Sequence, residues 1–196
     1  MARKPTPGAR ERILDRAACL FAERGIHAVG LQQVIDECGC GKNLLYREFA
    51  SKDDLVVAYL ERMSDEADAD YAELAARHEG EPADHLVGFV ALAVERASSP
   101  DYKGCPFLTA TAEFRDPDHP VHRAAVDHIA SVRRRIRAVA KQAGASAPAD
   151  LADRLMLLID GVYANTSMLG RRGPARAAVQ LAEDLVRHAT REPVRP

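Results

Sequence analysis

Residues 30–52 constrain the fold of this chain more than any other stretch. They read Gly-Leu-Gln-Gln-Val-Ile-Asp-Glu-Cys-Gly-Cys-Gly-Lys-Asn-Leu-Leu-Tyr-Arg-Glu-Phe-Ala-Ser-Lys. Val34, Ile35 and Cys38 are spaced so that they give one short helix an apolar face. Gly39 follows at the position where a helix commonly ends in a left-handed residue, which lets the chain reverse. The pattern predicts a helix, a tight turn and a second helix.

The second short helix has one inward and one outward face. Leu45 and Phe49 lie four residues apart, so both can point inward. The residues left outward are Lys42, Asn43, Tyr46 and Arg47. Basic, amide and phenolic groups on one helix face suit the major groove of DNA and its flanking phosphates. The stretch is therefore a helix-turn-helix candidate.

The composition favours helices and a soluble protein. Of 196 residues, 47% are hydrophobic and 29% charged, and aromatics make up only 5%. No run of 18 apolar residues is present, so we expect no membrane span. The basic amino terminus, with Arg3 and Lys4, precedes no apolar stretch, so we expect a flexible arm and no secretory signal. A cytoplasmic location is the expectation.

The net charge of −2 conceals an uneven distribution. Residues 1–52 hold nine Lys/Arg and six Asp/Glu, whereas residues 53–196 hold 18 and 23. The positive excess therefore coincides with the helix-turn-helix candidate, as phosphate binding favours. Farther along, Arg133, Arg134, Arg135 and Arg137 form a basic run, but consecutive helical residues point in different directions. We interpret that run as a solvated face or as ion pairs with an acidic neighbour.

Neither the cysteines nor the histidines form a recognisable metal or redox motif. Cys19, Cys38, Cys40 and Cys105 lack zinc-like spacing, and no cofactor is expected. Cys19 and Cys38 fall on apolar faces, which predicts core packing. A metal site formed by His119, His122 and His128 is the weaker alternative, because the first precedes a proline and the other two do not share a helix face.

Hydrophobic periodicity predicts an all-α chain of about nine helices. The first covers residues 9–24, and the fourth, capped by Ser51, runs to about Arg77. Asp84 is a candidate cap of the fifth, and the sixth starts within residues 103–107 and carries Phe114. The remaining helices are predicted at about residues 121–142, 149–169 and 174–190.

Residues 10–56 resemble the DNA-binding domain of the TetR family of bacterial repressors. The resemblance is carried by Leu-Phe-Ala-Glu-Arg-Gly, Leu-Tyr-x-x-Phe and Ser-Lys-x-x-Leu in that order and at that family's separations. It implies a DNA-binding domain over residues 1–52, joined to a regulatory ligand-binding and dimerisation domain over residues 53–196. It also implies a homodimer that binds a near-palindromic operator on double-stranded DNA.

DNA contacts are expected from the helix-turn-helix and its flanks, and the resemblance itself implies those of Lys42, Asn43, Tyr46 and Lys52. The candidates are Gln32, Gln33, Lys42, Asn43, Leu44, Tyr46, Arg47 and Lys52. The alternative for each is an ordinary solvated surface. Two positions depart from the family pattern: Leu44 replaces a common Thr, and Glu48 replaces a common His. A carboxylate at residue 48 would repel phosphate or accept from a cytosine amino group.

The regulatory half is expected to bind a small-molecule effector. Candidate lining residues are Tyr59, Met63, Phe89, Cys105, Phe107 and Phe114, with plain hydrophobic core as the alternative for each. The last two helices are expected to pair with their twins in a dimer. The resulting hypothesis is a ligand-responsive repressor, not an enzyme. The alternatives are an effector-independent DNA-binding protein and, less favoured, an all-helical enzyme, for which no known catalytic arrangement is present.

Overall fold

The computed structural model describes residues 8–190, which form helices joined by turns and short connections. They contain nine α-helices, one 3₁₀ turn at Pro174–Ala177, and no strand. The helices are α1 Ala9–Arg24, α2 Leu31–Cys38, α3 Lys42–Glu48, α4 Lys52–Arg77, α5 Pro82–Ser98, α6 Pro106–Glu113, α7 Pro120–Gln142, α8 Pro148–Leu169 and α9 Ala178–Thr190. This confirms the predicted all-α fold. The expected basic arm, with Arg3 and Lys4, lies outside the described residues.

The chain packs as two compact units. The first comprises the chain up to Asp65 together with Pro106–Asp127, and the second comprises Glu66–Cys105 together with the chain from His128 onward. The helix-turn-helix therefore shares a unit with α6 and the beginning of α7. These units are defined by packing, whereas the predicted boundary after residue 52 divides the chain by function. That boundary stays a prediction.

In the first unit, α1 supplies the predicted apolar stripe. Ile13, Leu14, Ala17 and Phe21 are buried. The helix ends at Gly25, which adopts φ +83° and donates its N–H to the carbonyl of Phe21 at 3.0 Å. Farther along α1, the carboxylate of Asp15 accepts a 2.6 Å hydrogen bond from Arg62 of α4. The stripe and this ion pair fix α1 within its unit.

The turn between α2 and α3 has the geometry that the sequence predicted. Gly39 lies in the left-handed region at φ +60°. Its N–H donates to Asp36 at 3.3 Å, and the N–H of Cys40 donates to Ile35 at 3.2 Å. This pair of bonds is the Schellman arrangement, which satisfies the last carbonyls of a helix. Ser51 caps α4 as expected, since its hydroxyl accepts from the N–H of Asp54 at 3.0 Å.

The second unit is built on α5, which packs against both α8 and α9. Its core includes Leu86, Phe89, Val90, Ala93, Leu151, Leu155, Ile159, Val162, Ala182 and Val186. No helix in residues 8–190 is long and apolar enough to cross a membrane.

Three sequence-based details of the helices were wrong. Asp84 lies in the first turn of α5 and does not cap it, because Pro82 already opens the helix. Phe114 follows the end of α6. Pro174 opens a 3₁₀ turn, and the last α-helix begins four residues later.

The packing predicted for two cysteines was also wrong. Cys19 is exposed on α1. Cys38 is half-buried and forms a disulfide with Cys40. An apolar stripe read at helical spacing is wider than the buried face, so residues at its margins can face solvent.

Candidate nucleic-acid interface

The outward face of α3 presents the polar groups that the sequence placed there. Lys42, Asn43, Tyr46 and Arg47 are all exposed. On the opposite face Leu45 is fully buried and anchors the helix. The helix begins after Gly41, whose carbonyl accepts the N–H of Leu45 at 3.2 Å. The buried Leu45, together with the buried Phe49 that follows the helix, thus orients the exposed set.

Lys42 and Tyr46, one turn apart, project together from α3. The ammonium of Lys42 lies 5.8 Å from the centroid of the Tyr46 ring, within cation–π range. Tyr46 is 46% exposed and is one of the large hydrophobic residues that the fold leaves at the surface. An ammonium and a phenol side by side can donate hydrogen bonds to neighbouring acceptors.

Glu48 accepts hydrogen bonds from two arginines, one at its side chain and one at its backbone carbonyl. Its Oε1 accepts from Arg47 Nε at 3.1 Å and Nη2 at 2.9 Å. Its backbone carbonyl accepts from Arg10 Nη1 at 3.0 Å, and the Arg10 guanidinium also lies 4.3 Å from the centroid of Phe49. The carboxylate that the sequence flagged as repulsive is therefore partly neutralised, and Arg47 is partly neutralised with it.

The other candidates on α2 and α3 are less prominent. Gln32 is exposed, and its amide donates to Asp36 at 2.9 Å within the same helix. Gln33 and Leu44 are half-buried. Leu44 therefore presents only part of its side chain to solvent.

Lys52 lies against the connection between α1 and α2. Its ammonium donates to the carbonyl of His27 at 3.3 Å. Partial burial lowers the pKa of this lysine, and the nearby carboxylates of Glu113 and Asp53 act in the opposite direction. The side chain remains half-exposed at the first turn of α4.

Glu113 at the end of α6 binds the same connection. Its Oε1 accepts from the N–H of Ile26 at 2.9 Å, and its Oε2 lies 2.8 Å from His27 Nδ1. Burial raises the pKa of the Glu113 carboxyl, but hydrogen bonds from the His27 and Ile26 backbone outweigh it, so the net pKa is lowered. No sequence pattern identifies this role of Glu113, because the hydrogen bond joins residues 87 positions apart.

The ring of Phe114, next to Glu113 in the chain, packs between two histidines. The ring of Phe114 lies 4.5 Å from His27 and 4.7 Å from His119, between ring centroids. His119 Nε2 is 3.3 Å from the carboxylate of Asp53 in α4. Phe114, predicted to line an effector pocket, thus packs beside the α1–α2 connection within the first unit.

The predicted effector residues divide between the two units. Tyr59, Met63, Phe107 and Phe114 belong to the first, and Phe89 and Cys105 to the second. Tyr59 is buried, with its ring centroid 5.5 Å from that of Phe21. Met63 and Cys105 are half-buried, and Phe89 and Phe107 are buried. Their assignment to an effector site stays a prediction.

Phe89 lies beside a group of polar aromatic and charged residues in the second unit. Its ring centroid is 5.3 Å from that of Tyr71. The Arg96 guanidinium lies 5.4 Å from the Tyr71 ring and donates to Asp70 at 2.6 Å. Burial raises the pKa of the Tyr71 phenol, so this hydroxyl stays protonated and can donate. This group combines apolar area with hydrogen-bonding capacity.

The basic run on α7 forms ion pairs, as expected. Arg133 Nη2 donates to Asp153 at 2.9 Å, and Arg135 lies 2.8 Å from Asp68. The histidines discussed as metal ligands make other contacts, and His122 Nδ1 lies 2.6 Å from the carbonyl of Phe114. Among residues 8–190, no group of three or more metal-binding side chains is brought together.

Apolar side chains remain exposed on α8 and α9. Leu157 and Met168 are 72% and 71% exposed, and Leu181 is 49% exposed. Leu157, Gly161, Ala164 and Met168 recur at three- and four-residue intervals, so they share one face of α8. Contiguous apolar patches on soluble proteins mark interaction sites.

A three-helix module with a polar, outward-facing third helix, continued by a helical second part, defines a helix-turn-helix transcriptional regulator. Residues 13–59 match the model of the bacterial regulatory proteins of the tetR family, and residues 82–182 match that of the tetracyclin repressor-like C-terminal domain. The chain belongs to the TetR family, whose members are DNA-binding transcription factors that bind DNA as dimers and respond to small molecules.

Individual relatives agree with this assignment. The transcriptional activator FasR of Mycolicibacterium smegmatis is 38% identical over 63 residues, covering 32% of this chain and 29% of that protein. The transcriptional repressor KstR2 of Rhodococcus jostii is 38% identical over 69 residues, covering 35% and 34%. This chain thus spans about a third of the length of these curated relatives.

The fold also matches solved structures along nearly the whole chain. A TetR-family transcriptional regulator from Streptomyces coelicolor superposes with a TM-score of 0.89 at 28% identity. The match covers 93% of this chain and 96% of that one. The predicted family is confirmed.

Proposed function

We propose that this chain is a homodimeric repressor that binds a near-palindromic operator and is released by a small-molecule effector. The observation that carries the proposal is the outward set on α3, oriented by the buried Leu45. A short helix with exposed Lys, Asn, Tyr and Arg side chains can place amide and basic groups at base edges while others hold phosphates. The functional boundary after residue 52 separates this reader from the regulatory domain.

DNA recognition is assigned to eight side chains. They are Gln32, Gln33, Lys42, Asn43, Leu44, Tyr46, Arg47 and Lys52. Lys42 and Tyr46 would contact phosphate or base edges, because both are exposed and project together from one face of α3. Arg47 shares its charge with Glu48, so its contribution to phosphate binding would be reduced. Lys52, held at the carbonyl of His27, would contact phosphate at the first turn of α4.

Dimerisation is assigned to the exposed apolar faces of α8 and α9. Leu157 and Met168 on one helix and Leu181 on the other would be covered by the same residues of a second copy. Twofold symmetry makes such a contact self-complementary. It would also set the two α3 helices about 34 Å apart, which is the spacing of successive major grooves.

Release is assigned to an effector bound by the regulatory domain. Phe89, beside Tyr71 and the Arg96–Asp70 pair, offers a setting for an effector that has both apolar area and a hydrogen-bonding group. The link to the reader would pass through Glu113 of α6, which binds the α1–α2 connection. An effector acts only if it binds the released state more tightly than the DNA-bound state.

Binding measurements on the gene's own upstream DNA test the repressor proposal. The duplex is compared with a scrambled duplex of the same length and composition at one fixed salt concentration. We expect the upstream duplex to bind at least about 10³-fold more tightly, as specific regulators do. Equal affinities for the two duplexes would refute sequence-specific binding.

A second measurement separates a ligand-responsive repressor from an effector-independent DNA-binding protein. Small molecules are screened for thermal stabilisation of the free protein, which reports binding to the folded state. Each stabilising compound is then added to the operator complex. We expect at least one to lower operator affinity, and stabilisation without any loss of affinity would contradict effector-driven release.

A further inference from the structure

We propose that Cys38 and Cys40 form a reversible, redox-responsive disulfide in the turn of the helix-turn-helix. A peroxide-class oxidant would close the bond and a small thiol would open it. The closed form would hold the turn that orients α3. Its effect on operator binding rests on the proposed function, whereas the disulfide and its effect on the turn do not.

The positions of the two cysteines suit a disulfide. Their Cα atoms are 5.2 Å apart, within the range of protein disulfides, and the two sulfurs are bonded. Gly39 between them takes φ +60°, which reverses the chain and brings the flanking side chains to the same side. The N–H of Cys40 also donates to the Cys38 sulfur at 3.2 Å.

Neither cysteine of the pair is enclosed in the core. Cys38 and Cys40 are each half-buried at the surface of the turn, so they do not behave as small core residues. The free cysteine of the same unit, Cys19, is exposed on α1 and is not bonded to either of them. The disulfide therefore involves only the two cysteines of this turn.

The disulfide lies directly before the DNA-reading helix α3. Cys40 precedes Lys42, the first residue of α3, by two positions. The helix has seven residues, and so short a helix is marginal by itself. It depends on the turn before it and on the buried Leu45 for its order. A bond across the turn removes conformations in which α3 detaches from α2.

The chemistry balances with hydrogen peroxide as the oxidant. One thiolate attacks a peroxide oxygen and the O–O bond breaks; the leaving hydroxide takes up the proton that this thiol had released, so a sulfenic acid and water form. The second thiolate then attacks the sulfenic sulfur and the S–O bond breaks; the leaving hydroxide takes up the proton released by the second thiol and forms a second water. The two sulfurs lose two electrons in total, which reduce the peroxide. A small thiol reverses the change by exchange through a mixed disulfide.

The oxidised and reduced forms should differ in stability and local order. Closing so short a loop restricts the unfolded chain modestly, which predicts a Tm higher by about 3–6 °C in the oxidised form. Amide hydrogen exchange in residues 40–48 should be slower in that form, because local opening of the turn is restricted. Operator affinity should be several-fold higher than in the reduced form.

Mass spectrometry tests bond formation directly. The full-length protein is treated with hydrogen peroxide or with dithiothreitol, alkylated with iodoacetamide and digested with trypsin. Cleavage after Arg24 and Lys42 places both cysteines on one peptide. We expect this peptide unalkylated and lighter by two hydrogens after peroxide, and doubly alkylated after dithiothreitol. Double alkylation after both treatments would overturn the proposal.

Variants separate the pair from other effects of peroxide. The double variant Cys38→Ser/Cys40→Ser should show the same Tm, exchange and operator affinity after either treatment. The matched control Cys19→Ser should respond as the wild type does, because Cys19 lies on α1 outside the turn. An equal peroxide response in the double variant would overturn the assignment to this pair.

Hydrogen exchange distinguishes a failure of the redox proposal from a failure of the repressor proposal. If the bond forms but exchange in residues 40–48 is the same in both forms, the proposed role in the turn fails. If exchange slows on oxidation while neither form distinguishes the operator from scrambled DNA, the redox site stands and the repressor proposal fails. Slower exchange together with unchanged specific affinity would overturn the link to operator binding.

Discussion

The carboxylate of Glu113 accepts a 2.9 Å hydrogen bond from the backbone N–H of Ile26, 87 residues earlier in the chain. Ile26 is buried in the connection between α1 and α2, and His27 beside it also binds the carboxylate. A side chain from the part of the sequence assigned to regulation thus satisfies the backbone of the DNA-binding module. A movement of α6 would therefore displace or break these hydrogen bonds to the α1–α2 connection.

Replacing Glu113 should destabilise the first unit. In Glu113→Ala the N–H of Ile26 loses its acceptor, at a cost of about 1–3 kcal/mol in the free energy of unfolding. Glu113→Gln keeps one acceptor oxygen and should lose less. Urea denaturation checks this, with the exposed Glu79→Ala as a control expected to stay within about 0.5 kcal/mol. An equally small effect of Glu113→Ala would show that water replaces the carboxylate.

The same variant tests the route from effector to operator. If Glu113 transmits release, Glu113→Gln should retain operator binding but require more effector for release, because part of the link is removed. Titration of the operator complex with an effector measures this. An unchanged effector requirement would place the link elsewhere.

The fold followed from sequence because its signals are local. Apolar residues at helical spacing located every helix, and Gly25, Gly39 and Ser51 marked ends and caps through their own backbone or hydroxyl chemistry. Buried Leu45 could likewise be recognised from its spacing to Phe49. These features depend on neighbours within one or two turns, which a sequence displays directly.

The unpredicted features depend on residues far apart or on conformations that spacing does not encode. Glu113 reaches Ile26 across 87 residues. The disulfide at Cys38 arises because the left-handed turn brings Cys40 to the same side, whereas the pattern suggested core packing. The Arg47 partner of Glu48 could not be foreseen, since adjacent helical residues usually diverge.

Substitutions on α3 should distinguish charge from hydrogen bonding. Lys42→Ala should weaken binding to operator and scrambled duplexes alike and reduce the salt dependence by about one unit of slope, if its ammonium contacts phosphate. Tyr46→Phe should weaken operator binding by loss of one hydroxyl, with the salt slope unchanged. Fluorescence anisotropy across a salt series measures both, and the exposed Glu79→Gln, outside the helix-turn-helix, is a fold control.

Removing the charge of Glu48 should strengthen DNA binding. Glu48→Gln releases Arg47 from an ion pair whose Nη2–Oε1 distance is 2.9 Å and removes a negative charge near the phosphates. Affinity for any duplex should rise, and the salt dependence should steepen. Weaker binding to the operator alone would instead indicate that the carboxylate accepts from a base, as a cytosine amino group allows.

Charge on the exposed face of α8 should prevent dimerisation. Leu157→Lys places an ammonium where an apolar contact is proposed, and a second copy would have to bury it unpaired. Analytical ultracentrifugation should show a monomer with weakened operator binding. Val126→Lys on α7 is a matched control at 43% exposure and should remain dimeric. A dimeric Leu157→Lys would exclude this face from the interface.

His128 should make the second unit sensitive to acid. Burial lowers the pKa of this imidazole to about 4; the Asp68 carboxylate opposes the shift, while the Arg96 and Arg135 guanidinium groups add to it. Between that value and the usual 6.5 the unfolded chain binds more protons than the folded chain, so stability falls as pH decreases. The whole difference in pKa would change the free energy of unfolding by at most about 3 kcal/mol, and only below the folded-state pKa of about 4.

Urea denaturation between pH 7.5 and pH 4 checks this dependence by comparing variants. His128→Gln cannot take up the proton, so its unfolding free energy should decline less on acidification than that of the wild type. His188→Gln, at an exposed position on α9, is the matched control and should follow the wild-type curve. Parallel curves for the wild type and His128→Gln would mean that His128 is hydrated when the protein is folded. The acid sensitivity would then have to arise from other groups.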